Sequence, residues 1–177
     1  MKEELKGISK EELKELYDKD FPLWAEINLE LLKEKAYELV DWEHLLEEIE
    51  DMARSDLKAC ISYLAVILEH LYKWDNFRHL TWAGGEGGHG WIRSVERARN
   101  ELLFLLDTYP SLRAKLPQNI QNAWKEAVKR LKNWLIDLEE EGKLDFGQRK
   151  RLEDQIHKES PYTYETTITR DLRQEIN

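Results

Sequence analysis

Apolar residues recur at three- and four-residue intervals along most of the chain, the period of an α-helix rather than of a strand. Ser9 followed three residues later by Glu12 has the spacing of a capping box and predicts a short helix running to about Lys19. Asp20 can cap a second helix, where Pro22 is tolerated because first-turn backbone donors have no helical partner. Trp24, Ile27 and Leu31 give that helix one apolar face. A third helix begins at Asp41, with Trp42, Leu45, Leu46, Ile49, Met52 and Ala53 at helical intervals, and either ends near Arg54 or runs on. From Leu57 to about His79, Leu57, Ile61, Leu64, Leu68, Leu71 and Trp74 set a stripe that Tyr63, Val66 and Ile67 widen beyond half the circumference. Such a helix belongs in the middle of a bundle.

Five glycines in the eight residues Ala83 to Gly90 predict a loop. Trp91, Ile92, Val95, Ala98, Leu102, Leu103 and Leu106 then define a helix that stops before Pro110, and Pro117 opens the next one. Ile120, Ala123, Trp124, Ala127, Val128, Leu131, Trp134, Leu135 and Leu138 form the cleanest stripe, which ends in the run Glu139 to Gly142. A short helix around Asp145 to His157 and a last one from about Thr163 complete the inventory. Thr166 to Thr169 is the only β-branched cluster, too short and polar to found a sheet. The expected fold is all-α, an up-and-down bundle of four long helices with short peripheral helices at both ends. It is read as a single domain over 1–177, with a core bundle over about 21–140 and a helical extension over about 143–177.

Composition changes this picture little. At 177 residues, with 41% hydrophobic and 36% charged residues, the chain can fold around its own core without a staple. No apolar run approaches the ~18 residues of a membrane span. Met1 to Lys10 has no secretory apolar segment, so a cytoplasmic setting and no membrane partner are expected. The single cysteine, Cys60, falls among Leu57, Ile61 and Leu64 and reads as a small core residue, a reactive thiol being the alternative.

Charge changes it more. The net charge is −9, but residues 1–56 carry 18 acids against 8 bases, a net of −10, and residues 57–177 carry 18 acids against 19 bases, a net of +1. The acidic third disfavours nucleic acid and suits a partner with a basic surface, or simply a solvated helix face.

Several motifs occur in a fixed order: Tyr17, Asp20, Phe21 and Trp24; the run Asp41, Trp42, Glu43, His44, Leu45, Leu46, Glu47, Glu48, Ile49, Glu50, Asp51, Met52; then His70, Leu71, Tyr72, Lys73, Trp74. Trp91, Ile92 and Arg99, Pro110, Ser111 and Leu112, and Pro161, Tyr162 and Thr163 follow. Together they resemble the bacterial family called domain of unknown function twenty-nine, from about Tyr17 to Thr163. The chain departs from the family pattern at Ala53, where a glycine is usual, at His44, where an asparagine is usual, and in a longer glycine run. The resemblance implies a helical fold without an assigned activity, and the Ala53 departure implies a less tight turn after the third helix.

At about 100° per residue, Asp41, His44, Glu48, Asp51 and Ser55 share one flank of the third helix and form a polar seam beside its apolar face. Arg99 lies among Val95, Leu102, Leu103 and Leu106, where an unpaired guanidinium is costly, so an acidic partner is expected, with Glu48 the first choice. His70, among Tyr63, Val66, Ile67 and Trp74, should be largely buried with a hydrogen-bond partner. The plain reading of Asp41, His44, Glu48, Asp51, His70 and Arg99 is a structural network that registers helices. The sharper one is acid-base or metal chemistry, since Asp41 with His44 and Asp154 with His157 have the i, i+3 carboxylate-histidine spacing of helical metal proteins. A dinuclear bundle site needs more carboxylates than these, so no metal and no cofactor are assigned.

Gly85, Glu86, Gly87, Gly88, His89 and Gly90 spell G-x-G-x-x-G, but a helix precedes them where a dinucleotide fingerprint needs a strand, and a connector is the expectation. Arg151 and His157, with Arg149 and Lys150 nearby, have the spacing of the arginine-histidine pair in small helical toxin-antitoxin ribonucleases; a solvated helix face explains them equally well. Trp24, Trp42, Trp74, Trp91, Trp124 and Trp134 lie on apolar stripes and should pack the core, leaving Trp82 beside the glycines as the exposed one. The leading expectation is a non-enzymatic protein-interaction or scaffold module with an unidentified protein partner, self-association included. The competing class is an enzyme, metal-dependent or a nuclease, which would need these polar groups in a solvent-reachable cleft.

Overall fold

The computed structural model describes residues 7–84 and 86–176, with the backbone alone at 83, 84 and 86. Met1 to Lys6, part of the segment read for an export signal, and Gly85 of the glycine run lie outside the described residues. The chain is all-α, with no strand among the described residues. Its helices are α1 (Lys10–Lys19), α2 (Phe21–Lys33), α3 (Trp42–Asn76), α4 (Thr81–Gly84), α5 (His89–Thr108), α6 (Ser111–Lys115), α7 (Ile120–Glu140), α8 (Phe146–Asp154) and α9 (Tyr164–Thr169). They form two compact units, residues 1–55 and 56–177, and α3 contributes residues to both.

In the first unit local chemistry sets the ends of α1 and α2. Ser9 Oγ accepts from the Glu12 N–H at 3.2 Å while the Glu12 carboxylate accepts from the Ser9 N–H at 2.8 Å, the reciprocal pair that satisfies two otherwise orphaned donors. Asp20 both closes α1, donating its N–H to the Leu16 carbonyl, and opens α2, its carboxylate accepting from the Leu23 N–H. Lys35 takes a left-handed φ of 60° after α2, which lets the Ala36 N–H reach back to the Leu31 carbonyl. Leu13, Trp24, Ile27, Leu31 and Val40 are the buried apolar residues of this unit.

The second unit is built on the part of α3 beyond Ser55 with α5 and α7. Leu64, Ile67, Leu68 and Leu71 of α3, Ile92, Leu102 and Leu106 of α5, and Trp124, Leu131 and Leu135 of α7 form one continuous buried cluster. Residues 143–177, expected as an extension, supply Leu144 and Leu172 to that core and pack Ile156, Tyr162 and Ile168 against it. Cys60 is fully buried there, and burial pushes its thiol above its ordinary pKa, the opposite of an activated nucleophile.

Three sequence expectations are corrected. The third helix, expected either to end near Arg54 or to run on, runs on through Asn76 as α3, with Ala53 inside it; the described residues therefore hold three long helices, α3, α5 and α7, instead of four. The described residues of the glycine run are not an open loop: α4 reaches Gly84, a 3-10 turn spans Glu86–Gly88, and α5 already starts at His89. Gly88 is required there, since its φ is 92° and an added Cβ would sit 3.2 Å from the Trp74 ring. Pro110 and Ser111 introduce α6, a short helix the stripe pattern did not reveal.

Candidate functional site

Only the N-terminal part of the polar seam of α3 turns inward: Asp41 is buried, His44 and Glu48 are half-buried, and Asp51 and Ser55 are exposed. Asp41 immediately precedes α3 and has no exposed surface; its carboxylate Oδ2 accepts from Trp24 Nε1 at 3.0 Å and lies 2.6 Å from His44 Nδ1, and its own N–H donates to Asn28 Oδ1 at 2.9 Å. Asn28 is fixed in turn by donating to the Trp24 carbonyl. Burial pushes the Asp41 carboxyl up, but the hydrogen bonds from His44 and Trp24 outweigh it and hold the pKa below the usual carboxylate value. The His44 ring stacks on Tyr17 with centroids 4.1 Å apart, and the Tyr17 hydroxyl donates to Glu48 at 2.6 Å. That bond raises the Tyr17 pKa to about 12. Ser55, the seam's last member, donates to the Met52 carbonyl.

Chemically, this cluster orients an imidazole. The buried carboxylate can only accept, so His44 Nδ1 is the donor at 2.6 Å, and this bond together with the Tyr17 stack fixes the plane of the ring. It also ties the start of α3 to α1 through Tyr17 and to α2 through Trp24 and Asn28. Among the described residues no group of three or more His, Cys, Asp and Glu is placed to hold a metal ion.

The apolar stripe of the same helix turns outward. Trp42, Leu46, Ile49 and Met52 are 41%, 55%, 52% and 71% exposed, and only Leu45, between stripe and seam, packs against the unit's core. Relative to the sequence expectation, in which the stripe faced the core with the seam beside it, α3 is rotated by roughly a quarter turn. Trp42, expected in the core, instead lies along the surface and donates Nε1 to the Tyr37 carbonyl at 2.9 Å.

The remaining expected residues do not join this cluster. Among the described residues Arg99 pairs with no carboxylate, Glu48 included: its Nη2 donates to the carbonyls of Thr167 and Arg170, at 2.9 and 3.0 Å. These carbonyls end α9, and a helix C-terminus presents the partial negative charge a guanidinium needs. Burial lowers the Arg99 pKa, partly offset by Asp171 and Glu96. His70 is partly buried, its Nδ1 2.8 Å from the Val66 carbonyl, and burial lowers its pKa. Asp154 and His157 border a groove between α7 and α8 with Lys125, Lys129 and Lys132, whereas Arg151 lines a different groove with His79 and Gln155. Trp82 is 49% exposed, with the Lys143 ammonium 5.4 Å from its ring centroid.

The family model described as Domain of unknown function DUF29 matches residues 16–172 of this chain. The chain belongs to the DUF29 family. No curated protein and no solved structure matches it. The match covers both units of the DUF29 chain and includes Tyr17, Trp24, Asp41, Glu48, His70 and Arg99, while the family description assigns no activity to any of them.

Sequence reasoning missed two other polar groups. Glu69 and Lys73 form an ion pair at 2.6 Å, with side chains 10% and 6% exposed and the ammonium 4.4 Å from the Trp134 centroid; their i, i+4 spacing was visible but identical to that of solvated pairs. Asp75 takes a bidentate pair of bonds from Arg170 at 2.7 Å and one from the Tyr162 hydroxyl at 2.6 Å, and Arg170 also holds Glu175. No local signal links residues so far apart in the chain.

Proposed function

We propose that the DUF29 chain is a protein-interaction module that docks its partner on the outward face of α3, over Trp42, Leu46, Ile49 and Met52. The observation that carries this reading is the exposure of four large apolar side chains at i, i+4, i+7 and i+10, on a helix whose opposite flank is anchored by buried polar bonds. Contiguous apolar surface of this kind mostly marks an interaction site, and aromatic and methionine side chains are the types enriched at interface centres. The anchoring seam gives the face a fixed orientation, which lowers the ordering cost of binding. A cytoplasmic setting belongs to the same reading and is supported by the chain's single, buried, unpaired Cys60.

Tagged wild-type protein and the Ile49→Asp variant, captured side by side from lysate of the native host, test it. A near-stoichiometric polypeptide, whether another protein or a second copy, that wild type retains and the variant loses at unchanged melting temperature is the expected result. An identical retained set for both proteins would overturn it.

A further inference from the structure

The interaction reading leaves the occupant of the α3 face open, and the charge around that face selects one. We infer that it receives an amphipathic helix from a different protein, with an apolar stripe bordered by lysines and arginines. This inference rests on the interaction reading above and adds the partner's chemistry to it.

The spacing of the exposed residues sets the shape of the occupant. Trp42, Ile49 and Met52 follow the heptad interval, with Leu46 widening the seam, so the face presents the ridge that a second helix packs against. From Trp42 to Met52 it extends about 15 Å along the axis, enough for roughly three turns of a partner helix.

Charge then excludes a symmetric copy of the chain. Residues 42–55 carry five acids against one base, a net of −4, inside a segment, residues 1–56, whose net is −10. The one base, Arg54, is already paired with Glu50 at 2.8 Å, and Glu43 is engaged by Lys14 at 2.7 Å. A two-fold dimer through this face would set the same patch against itself, acid row against acid row, and like charges across an interface oppose association. A basic-flanked helix meets the same acids with opposite charge and gains both association rate and specificity from them. An anionic membrane surface is disfavoured by the same sign argument.

The test uses the whole chain and three synthetic peptides labelled for fluorescence anisotropy: an amphipathic helix with a leucine stripe flanked by lysines, the same stripe flanked by glutamates, and the lysine peptide with its stripe scrambled. The lysine peptide is expected to bind about tenfold or more tightly than either control, to weaken as salt is raised, and to lose about tenfold in affinity with Ile49→Asp and with Met52→Asp. Circular dichroism melts of both variants guard against a folding artefact, since both positions are exposed. Equal binding of the lysine and glutamate peptides overturns the charge argument. Self-association of wild type by sedimentation, abolished by Ile49→Asp and without peptide binding, overturns this occupant and leaves the interaction module standing. Absence of both peptide binding and self-association, with the host lysate capture unchanged by Ile49→Asp, removes the module as well.

Discussion

Residues 56–177 turn their helical stripes inward, whereas residues 7–55 hide only part of theirs. Among the described residues the second unit buries 26 apolar side chains in one cluster and the first buries five, yet nine of the sixteen large exposed apolar residues belong to the first. Stabilisation in the second unit follows from buried area, at about 25 cal/mol per Å². In the first it depends more on directed bonds, because Asp41, Asn28, Trp24 and Tyr17 hold α3 in an orientation its apolar residues alone would not choose. The difference teaches that an apolar stripe need not mark the side of a helix that is packed: a fully buried Asp41, its carboxylate bonded to Trp24 and His44 and its N–H to Asn28, can decide which side faces in.

The largest expected effect attacks the second unit at the buried Glu69–Lys73 ion pair. Lys73→Met leaves the Glu69 carboxylate without its partner in a nearly dry setting, and the loss should be about 3–5 kcal/mol by chemical denaturation. Adding Glu69→Leu removes the stranded charge, so the double variant should return to within about 1 kcal/mol of wild type or exceed it. A single variant as stable as wild type would mean that Glu69 finds water, and the second unit's interior would be wetter than its core residues imply. Ile49→Asp in the first unit, an exposed change away from the buried bonds, should stay within about 0.5 kcal/mol, the sharpest contrast between the units.

A smaller effect separates the units by pH. Burial lowers the His70 pKa, so its neutral form stabilises the second unit fully above the ordinary histidine value of about 6.5, and that contribution is lost as pH falls through the lower folded pKa. Asp41 is depressed too, but from the ordinary carboxylate value of about 3.8, so its contribution to the first unit is present above that pH and is lost only in stronger acid. Acid titration followed by amide exchange should therefore loosen the His70 region before the Asp41 region, and His70→Gln should flatten the earlier step. Simultaneous loosening would mean that one acid-sensitive group governs both.

Local periodicity made most of the fold legible. The Ser9 and Glu12 box, the Asp20 cap with Pro22, the stop before Pro110 and the stripe of α7 are short-range codes, written within a few residues of the structure they produce. Periodicity fixes the angle between residues on a helix but not the helix's rotation about its axis, so it sets Asp41, His44 and Glu48 on one flank without deciding which side of α3 is packed. The sequence points Arg99 to an acid because side-chain charges are visible in it and helix-end carbonyls are not; Thr167 and Arg170 supply the same negative potential from backbone. The bonds of Asp75 to Tyr162 and Arg170 span 87 and 95 residues and have no local trace at all.

The smallest effect concerns Glu48, whose partner the sequence pointed to in Arg99 and the structure gives as Tyr17. A tyrosine that donates to a carboxylate resists ionisation, since the tyrosinate would face the Glu48 charge, and the Tyr17 pKa accordingly rises to about 12. The sign follows directly: the raised pKa makes this bond's contribution complete below the ordinary tyrosine value of about 10, and the contribution disappears as pH climbs through about 12. Glu48→Ala should return Tyr17 to ordinary titration, visible as one tyrosine moving to lower pH in the tyrosinate absorbance curve, with Tyr17→Phe identifying which one. Because the pair lies at a partly exposed edge, the Arg99 region should keep its amide protection in Glu48→Ala. Loss of that protection would restore Glu48 as the partner of Arg99 and would undo its assignment to Tyr17.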